Sequence, residues 1–466
     1  MWTVEQILTA TGGKVVREGK QSRFGEIVTD SKSAKKDSVF VALKGARFDG
    51  HRFLGDAARR GAACLLVHKR PAPSRLGDAT VIQVRDTLEA LGGLARYRRE
   101  AVAPTVLAIT GSNGKTTTKE MLAAILESAS LGGEPLAGKI LKTEGNLNNL
   151  VGLPQTLLRL QGHEKVAVVE MGTSVPGEIA RLCRIGKPDI GLITSVAPAH
   201  LSGLSTVAGV AREKGAMFRG LNSRGIAIVN VDDPWTRRLG AKFKGTKITY
   251  GKNGDVRGED WKFLGAEGTE FTLCAGAGRQ RVRLKVAGEH NLSNALGAAA
   301  MAYGLGVEIE AMRAGLEAVR PYPMRMAIER WGDVGVINDA YNANPASMEA
   351  ALKTLGQIET KGKKIAILGD MLELGREARE RHVALGRQAA EYGIDRLYVL
   401  GRQARAVARG ARGAGMEKKL VVIGKSHRQI AALIRKRALP GDWLLFKGSR
   451  GMKMERVLAA LKETGV

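Results

Sequence analysis

A glycine-rich segment followed by a lysine and threonines points to phosphate chemistry. A short apolar run leads into TGSNGKTT, where Gly111 and Gly114 allow successive backbone N–H groups to turn inward. Lys115 can reach the outer phosphates of a nucleotide, and Thr116 can offer its hydroxyl to Mg²⁺. The common phosphate-loop spacing needs glycine at position 109, where this chain has Ile109. We therefore predict an ATP-phosphate site of unusual spacing; a glycine turn with a surface lysine is the alternative.

Three further side chains could join that site. Glu170 is the last residue of a second apolar run, where a carboxylate that binds Mg²⁺ is expected. His200 follows the third apolar run, although a single histidine is often structural. Lys214 is expected on the next helix, where its spacing alone predicts a solvated side chain.

Two polar clusters have both a capping and a binding interpretation. Asn230, Asp232 and Asp233 precede a proline and could support a site or cap a helix. Asn291 and Asn294 open an alanine-rich helix, where they could cap it or contact a base edge.

A third cluster indicates a ligand more directly. Asp339, Tyr341, Asn342 and Asn344 crowd the single turn at the end of VGVIND. A plain loop seldom needs so many hydrogen-bonding groups, so we predict that this turn contacts a ligand.

These residues must be positioned by parallel sheets. Apolar runs that read as strands, among them TVLAIT (105–110), DIGLITSV (189–196) and VGVIND (334–339), alternate with helical stretches. This alternation predicts an α/β fold with a doubly wound parallel sheet whose ligands bind at the carboxyl ends of the strands. Alternating polar and apolar residues within 246–287 predict added antiparallel strands. The prediction comprises three domains: a small N-terminal α/β domain (1–100), a central ATP-binding phosphate-loop domain (101–320) and a C-terminal Rossmann-like α/β domain (321–466).

Composition narrows the class of protein. The 466 residues carry a net charge of +27, yet the basic residues are dispersed and lack interleaved aromatics, so we expect no nucleic-acid binding. The sequence has neither an apolar run long enough for a membrane helix nor a signal-peptide pattern, so we expect no membrane insertion. Cys64, Cys183 and Cys274 lack metal spacing and are expected to be buried, reduced thiols of a cytoplasmic protein.

The combination of motifs resembles the Mur ligase family, ATP-dependent enzymes that build the peptide of bacterial peptidoglycan. TGSNGKTT is similar to that family's phosphate loop, which lacks the earlier glycine. The resemblance spans the whole chain and keeps the order of the motifs, which are EGNLNNLVGLP (144–154), EMG (170–172), AHLSG (199–203), NVDDP (230–234), GEHNLSNALGAAA (288–300) and MR (324–325).

Within the family, the chain looks like the member that adds D-alanyl-D-alanine to a UDP-N-acetylmuramoyl-tripeptide. The stretches that carry this resemblance are NDAYNANPASM, AILGDMLELG (366–375) and FKGSRGMKME (446–455). The implied reaction consumes ATP and gives UDP-N-acetylmuramoyl-pentapeptide, ADP and phosphate. The third residue of the tripeptide is either lysine or diaminopimelate. We expect a monomer whose partners are these small molecules.

The resemblance also implies roles for individual residues. Lys115, Lys214 and His200 would be catalytic, with Lys214 carrying a carbamate. Mg²⁺ would be held by Thr116, Glu170, His200 and Lys214. ATP would be bound by Gly111, Ser112, Asn113, Gly114, Lys115, Thr116, Thr117, Asn291, Asn294, Arg325, Asp339, Tyr341 and Asn344. The other substrates would contact Ser31, Asp49, Gly50 and His51 near the UDP-sugar, Asn149 near the phosphates, and Lys447, Ser449 and Arg450 near the dipeptide.

Two positions depart from the family pattern. Lys32 stands where the family often has arginine, which removes a planar fork of donors. Ala216 replaces an acidic residue close to Lys214, which leaves fewer polar groups to orient a carbamate.

Three other functions remain as alternatives. A folate-type polyglutamate ligase would share the central domain but is not expected to have the N-terminal one. A nucleic-acid-dependent ATPase would bind with steep salt dependence. An inactive nucleotide-binding scaffold is disfavoured by the intact phosphate-loop lysine and metal-site residues.

Overall fold

The structure is a computed structural model that describes residues 1–45, 48–69 and 76–463. The chain divides into two compact units. Unit 1 contains Met1–Val106, Leu141–Met171 and Ala180–Pro188; unit 2 contains Leu107–Ile140, Gly172–Ile179 and the chain from Asp189 onward. Across the described residues, no helix combines the length and the apolar character that crossing a membrane requires.

The described residues between 1 and 102 form short strands and three α-helices of unit 1. In chain order these are β1 (Trp2–Thr3), α1 (Val4–Thr11), β2 (Lys14–Arg17), β3 (Arg23–Phe24), β4 (Ile27–Val28), β5 (Val39–Val41), α2 (Leu54–Arg59), β6 (Cys64–Val67), β7 (Thr80–Gln83) and α3 (Thr87–Val102).

The main sheet of unit 1 has five strands in the order β2-β7-β6-β5-β4. Strands β4 to β7 pair in parallel, whereas β2 pairs antiparallel with β7. Both faces of the central strand β6 are buried, as its apolar run CLLV requires. Helix α3 begins at an Asp86 cap whose carboxylate accepts from two backbone N–H groups.

The next elements run from residue 105 to residue 318. They are β8 (Thr105–Thr110), α4 (Lys115–Glu127), β9 (Ser130–Leu131), β10 (Glu134–Pro135), β11 (Ile140–Lys142), α5 (Gly152–Leu157), β12 (Val166–Glu170), α6 (Glu178–Gly186), β13 (Ile190–Ile193), α7 (Leu201–Leu204), α8 (Val207–Lys214), α9 (Ala216–Arg219), β14 (Ile226–Asn230), α10 (Pro234–Lys242), β15 (Thr246–Tyr250), β16 (Val256–Phe263), β17 (Thr269–Ala275), β18 (Gly278–Leu284), α11 (Glu289–Leu305) and α12 (Ile309–Ala318).

We call the part of unit 2 that precedes residue 320 the central lobe. The strands of its main sheet follow the order β8-β13-β14-β15-β16-β17-β18, and β9 pairs separately with β10. Strands β8, β13, β14 and β15 are parallel, and β16, β17 and β18 add an antiparallel meander. The predicted α/β class with a parallel central sheet and added antiparallel strands is therefore confirmed. The alanine-rich helix α11 packs on this sheet, because its small side chains allow close approach.

We call residues 324–463 of unit 2 the C-terminal lobe. Its elements are β19 (Ala327–Trp331), β20 (Val334–Asp339), α13 (Pro345–Gln357), β21 (Lys364–Gly369), α14 (Ala378–Glu391), β22 (Arg396–Leu400), α15 (Ala404–Gly413), β23 (Val421–Ile423), α16 (His427–Arg435), β24 (Trp443–Lys447) and α17 (Glu455–Lys462).

The sheet of the C-terminal lobe has the order β19-β20-β24-β21-β22-β23. Every pair is parallel except β19 with β20. Separate apolar clusters cover the two faces of the sheet, one with α13, α14 and α15 and the other with α16 and α17. Strands β20, β21 and β24 thus end at one edge, where the polar turn after β20 lies.

Candidate active site

The glycines of the phosphate loop are required by their surroundings. Gly111 has φ +151° and Gly114 has φ +80°, conformations that residues with side chains rarely adopt. A Cβ atom at Gly111 would lie 1.8 Å from Thr194 Oγ1, and one at Gly114 would lie 2.1 Å from Asn294 Oδ1. The loop therefore fits closely between the turn after β13 and the start of α11.

Hydrogen bonds join the phosphate loop to the turn that follows β13. Ser112 N donates to Ser195 O at 2.9 Å, and the Ser112 hydroxyl donates to Ala197 O at 3.0 Å. Thr194 Oγ1 donates to Asn113 O at 2.5 Å. The apolar run 189–196 was predicted to be one strand, but β13 ends at Ile193. The following residues turn away from the sheet because they hold the loop.

The catalytic lysine of the prediction lies at the first position of α4. Lys115 Nζ donates to Gly111 O at 2.9 Å, so its side chain curls over its own loop. Thr116 is 2% exposed at the positive end of the same helix, and Thr117 is half-buried. This strand, glycine loop and helix N-terminus form a cradle for an anion such as a nucleotide phosphate.

Glu170 belongs to unit 1, where it ends β12. The residue is 2% exposed. Asn148 Nδ2 donates to Glu170 Oε1 at 2.8 Å, and Glu170 N donates to Thr143 Oγ1 at 3.0 Å. A glutamate at the end of a strand is usually solvated, whereas the Glu170 carboxylate is buried and bonded to a protein group. Asn149, predicted to face phosphates, accepts through Oδ1 from the N–H groups of Val151 and Gly152 at the start of α5.

His200 meets a carboxylate of the C-terminal lobe. Its Nδ1 lies 2.6 Å from Glu373 Oε2, and Ser202 N donates to Glu373 O at 3.2 Å. Burial lowers the pKa of His200 below its usual value, Glu373 raises that pKa, and the charges of Lys115 and Lys214 lower it. The imidazole is thus set among the groups predicted to bind phosphate and metal.

Lys214 is buried, contrary to what its helical spacing predicts. It ends α8 and is 2% exposed. The neighbouring Glu213 is also buried, and its carboxylate accepts from Gly177 N at 2.7 Å and Ile179 N at 2.8 Å. These bonds hold the start of α6 and the residue before it against Glu213, a contact between elements that helical spacing cannot show.

The predicted adenine residues form a hydrogen-bonded chain near the phosphate loop. Asn291 Nδ2 donates to Ala287 O at 2.7 Å, and Asn294 Nδ2 donates to Asn291 Oδ1 at 2.8 Å. Thr118 Oγ1 donates to Asn294 Oδ1 at 3.4 Å. Helix α11 is capped by Gly288 without a side-chain bond, so the capping interpretation of the two asparagines is wrong.

The cluster of Asn230, Asp232 and Asp233 combines capping by one residue with support of the phosphate-loop region. Asp233 caps α10 by accepting from Trp235 N and Thr236 N, and its second oxygen accepts from Val196 N at 3.0 Å. Asn230 Nδ2 donates to Thr194 O at 2.8 Å. These side chains support the turn that holds the phosphate loop.

The polar turn after β20 contacts the phosphate loop directly. Asn344 Nδ2 donates to Asn113 Oδ1 at 2.6 Å while its own oxygen caps α13. The guanidinium carbon of Arg325 lies 4.0 Å from the centre of the Tyr341 ring. Asp339 accepts from Met326 N at 3.2 Å and from Lys447 Nζ at 2.5 Å.

The ion pair between Asp339 and Lys447 joins a residue predicted to bind ATP to one predicted to lie near the dipeptide. Lys447 is 2% exposed and also donates to Asn342 O at 3.0 Å. Ser449 is buried and accepts from Leu372 N at 2.8 Å. The exposed Arg450 pairs with Glu455 at 2.7 Å. The predicted dipeptide residues thus lie at the carboxyl edge of the C-terminal sheet.

The predicted uridine-side residues belong to unit 1. Ser31 begins a one-turn 3₁₀ helix, and Asp49 caps another that contains Gly50 and His51. His51 N and Nδ1 lie 3.0 and 2.8 Å from Asp49 Oδ1, and His68 N donates to His51 Nε2 at 3.1 Å. The hydrogen bond from His51 N is the largest influence that lowers the pKa of Asp49.

The side chains predicted to bind Mg²⁺ suit the ion only when a bound nucleotide supplies further oxygen ligands. Among the described residues, no three or more His, Cys, Asp or Glu side chains form a group that could hold a metal ion. Mg²⁺ commonly uses one or two protein ligands, phosphate oxygens and water, so a protein cage is unnecessary. The buried Thr116 hydroxyl beside the phosphate cradle fits this mode.

Sequence reasoning did not single out Asn148, Thr194 or Glu373. Asn148 and Glu373 lie inside motifs that carry the family resemblance, but nothing in their spacing reveals their partners. The contact made by Thr194 could not be predicted because the sequence places Thr194 within an apolar run.

Three family models match the sequence. They are described as "Mur ligase family, catalytic domain" (residues 24–99), "Mur ligase middle domain" (residues 109–302) and "Mur ligase, glutamate ligase domain" (residues 324–450).

Relatives and solved structures match over nearly the whole chain. Proteins named UDP-N-acetylmuramoyl-tripeptide–D-alanyl-D-alanine ligase are 37% identical in Escherichia coli (strain K12), covering 99% of each chain, and 34% identical in Bacillus subtilis (strain 168), covering 99% of this chain and 98% of the relative. A crystal structure of MurF from Acinetobacter baumannii is 34% identical with TM-score 0.90, covering 99% of each chain. The MurF ligase of Thermotoga maritima in complex with ADP is 30% identical with TM-score 0.81, covering 94% of this chain and 97% of that one.

Proposed function

This chain belongs to the Mur ligase family, and from that premise we propose that it joins D-alanyl-D-alanine to a UDP-N-acetylmuramoyl-tripeptide at the expense of ATP. The observation that carries the proposal is the strained glycine loop before α4, with Lys115 folded over it and a turn of the C-terminal lobe bonded to it. Such a loop binds a nucleotide between two lobes that can carry different substrates.

The first chemical step would form an acyl phosphate. The terminal carboxylate of the tripeptide attacks the γ-phosphorus of ATP, and the bond to the bridging oxygen breaks to release ADP. Phosphoryl transfer depends mainly on alignment and on neutralising charge. The loop N–H groups and Lys115 would supply both, and Thr116, Glu170 and His200 are the residues that would hold Mg²⁺. The bound ion would neutralise phosphate charge.

The second step would form the amide. The neutral amine of D-alanyl-D-alanine attacks the acyl carbon, phosphate leaves, and the amine gives up its proton. Water must be kept from the acyl phosphate meanwhile. Contacts between the lobes at Asn113 with Asn344 and at His200 with Glu373 support closure over this intermediate.

Lys214 is proposed to act as a carbamate. The Lys214 ammonium first loses a proton, carbon dioxide adds to the neutral amine, and a second proton is released as the carbamate anion forms. A side chain that would otherwise be a cation can then bind metal as a carboxylate does. Burial of the side chain at 2% exposure supports this role, because a surface lysine would stay hydrated and protonated. We also propose that the enzyme is cytoplasmic and monomeric.

A phosphate-release assay tests the proposed activity. The purified chain receives ATP, Mg²⁺ and a UDP-N-acetylmuramoyl-tripeptide containing lysine or diaminopimelate, with and without D-alanyl-D-alanine. We expect sustained release only when both acceptor and dipeptide are present, and the preferred tripeptide identifies the third residue. Release that needs neither substrate, or that nucleic acid stimulates, contradicts the proposal.

A further inference from the structure

Glu373 lies on a loop of the C-terminal lobe that projects toward the central lobe. Met371 and Leu374 are each 2% exposed and fix the loop in the core of the C-terminal lobe. Between them, the Glu373 side chain is 55% exposed and points outward to His200. Its backbone has φ +62°, a conformation that a residue with a side chain keeps only where its surroundings impose it.

Hydrogen bonds hold this loop from several sides. Met371 N donates to Nε2 of the buried His382 at 2.9 Å, and Leu372 N donates to Ser449 Oγ at 2.8 Å. Ser202 N of the central lobe donates to Glu373 O at 3.2 Å. The position of the Glu373 carboxylate is therefore set by both lobes.

The contact with His200 also determines where the ring carries its proton. A carboxylate only accepts hydrogen bonds, so the Nδ1 atom 2.6 Å from Glu373 Oε2 must be the donor. In a neutral imidazole this leaves the lone pair on Nε2. His200 itself has φ +54°, so the ring is presented from a backbone that is also constrained.

We propose that Glu373 is a positioning residue that holds His200 in the Nδ1–H tautomer, so that Nε2 faces the phosphate and metal site only when the C-terminal lobe is docked. Carboxylates that accept from a metal-binding histidine commonly orient the ring and raise its basicity. Here that carboxylate is 173 positions away on the other lobe. The imidazole of His200 is therefore oriented at the moment when the C-terminal lobe docks. The proposal deepens the function proposed above.

Side-chain nitrogen spectra test the proposal without relying on activity. The chain has seven histidines, which can be labelled with ¹⁵N, and His200→Asn identifies the His200 signals. We expect the Nδ1–H tautomer at His200 in the wild type and in Glu373→Gln, whose amide oxygen can still accept. Glu373→Ala should lose this preference. Glu377→Ala, which removes an exposed carboxylate from the same stretch, is the matched control and should resemble the wild type.

Kinetics provide the second readout. We expect Glu373→Ala to lower kcat about 10- to 100-fold with little change in KM for ATP, and Glu373→Gln to recover most of the loss. A wild-type tautomer together with wild-type kcat in Glu373→Ala overturns the proposal and leaves an ordinary surface ion pair. If the wild type releases no phosphate with its substrates, the proposed function fails, while the nitrogen spectra still decide the role of Glu373.

Discussion

Asn344 of the C-terminal lobe and Asn113 of the phosphate loop share a hydrogen bond of 2.6 Å between their side chains. The same Asn344 caps α13 through its oxygen, so one side chain fixes both a helix terminus and a contact between lobes. A change in the position of the C-terminal lobe should therefore alter the conformation of the phosphate loop.

Replacements of Asn344 should separate these two roles. Asn344→Ala loses the cap and the contact, which should reduce the free energy of unfolding by about 1 kcal/mol and weaken ATP binding. Asn344→Ser keeps a capping hydroxyl but is too short to reach Asn113, so it should weaken ATP binding at nearly wild-type stability. Chemical denaturation and calorimetric titration with ATP measure the two effects. Unchanged ATP affinity in both variants would show that the contact has no influence on the loop.

Removal of the Lys115 ammonium should abolish phosphoryl transfer. We expect Lys115→Ala to lower the rate of ATP consumption by about 100-fold or more, because a charge aimed at the transferring phosphate is lost. The partly exposed Lys139, which pairs with Glu134, provides a control variant that should retain the wild-type rate. Phosphate release with both substrates is the measurement. Near-normal turnover by Lys115→Ala would refute the assignment of the loop.

Carbamylation of Lys214 predicts chemical rescue. Lys214→Ala and Lys214→Arg should both lose activity by about 100-fold, because neither can carry the carbamate. Added short carboxylates should partly restore Lys214→Ala but not Lys214→Arg, whose side chain fills the space. Thermal unfolding of each variant establishes that it is folded. Failure of rescue, together with a wild type that is indifferent to bicarbonate, argues against the carbamate.

The buried pair of Lys447 and Asp339 should be important for stability. Their side chains are 3% and 14% exposed, so Lys447→Met leaves a carboxylate without its partner and should cost about 3 kcal/mol of unfolding free energy. Lys462→Met breaks an exposed pair with Glu329 and should cost less than about 1 kcal/mol. Denaturant titration measures both. A stable Lys447→Met variant with a raised KM for D-alanyl-D-alanine would instead indicate that Lys447 binds the dipeptide.

The half-buried His290 should make stability fall in mild acid. Burial lowers its pKa; Asp339 and Glu289 oppose this effect, whereas Lys447 adds to it. The pKa of His290 in the unfolded chain is about 6.5, so the unfolded chain binds a proton before the folded chain does as the pH falls. The free energy of unfolding is therefore greatest above that pH and decreases as the pH falls toward the folded pKa. We expect His290→Asn to flatten the fall in unfolding midpoint between about pH 7.5 and pH 5.5. The exposed His163→Asn should behave as the wild type; equal slopes in all three proteins would contradict this role.

Much of the fold is encoded locally and was predictable. Two strands, Thr105–Thr110 and Val334–Asp339, have the predicted bounds, because each is a β-branched run closed by polar residues. The parallel sheets, the antiparallel addition, the three buried cysteines and the membership of the family are likewise confirmed. The predicted domain boundaries and substrate residues stay predictions.

The sequence by itself determined the phosphate loop, since its glycines, lysine and threonines are contiguous and the strand and helix beside them follow from local pattern. Tertiary structure alone decided the partners of those residues. Lys214 is buried although its position on a helix predicts a solvated side chain. The contacts of Asn113 with Asn344 and of His200 with Glu373 join positions 231 and 173 residues apart. Spacing along the chain carries no information about such contacts, because they form only when separately folded elements pack against each other.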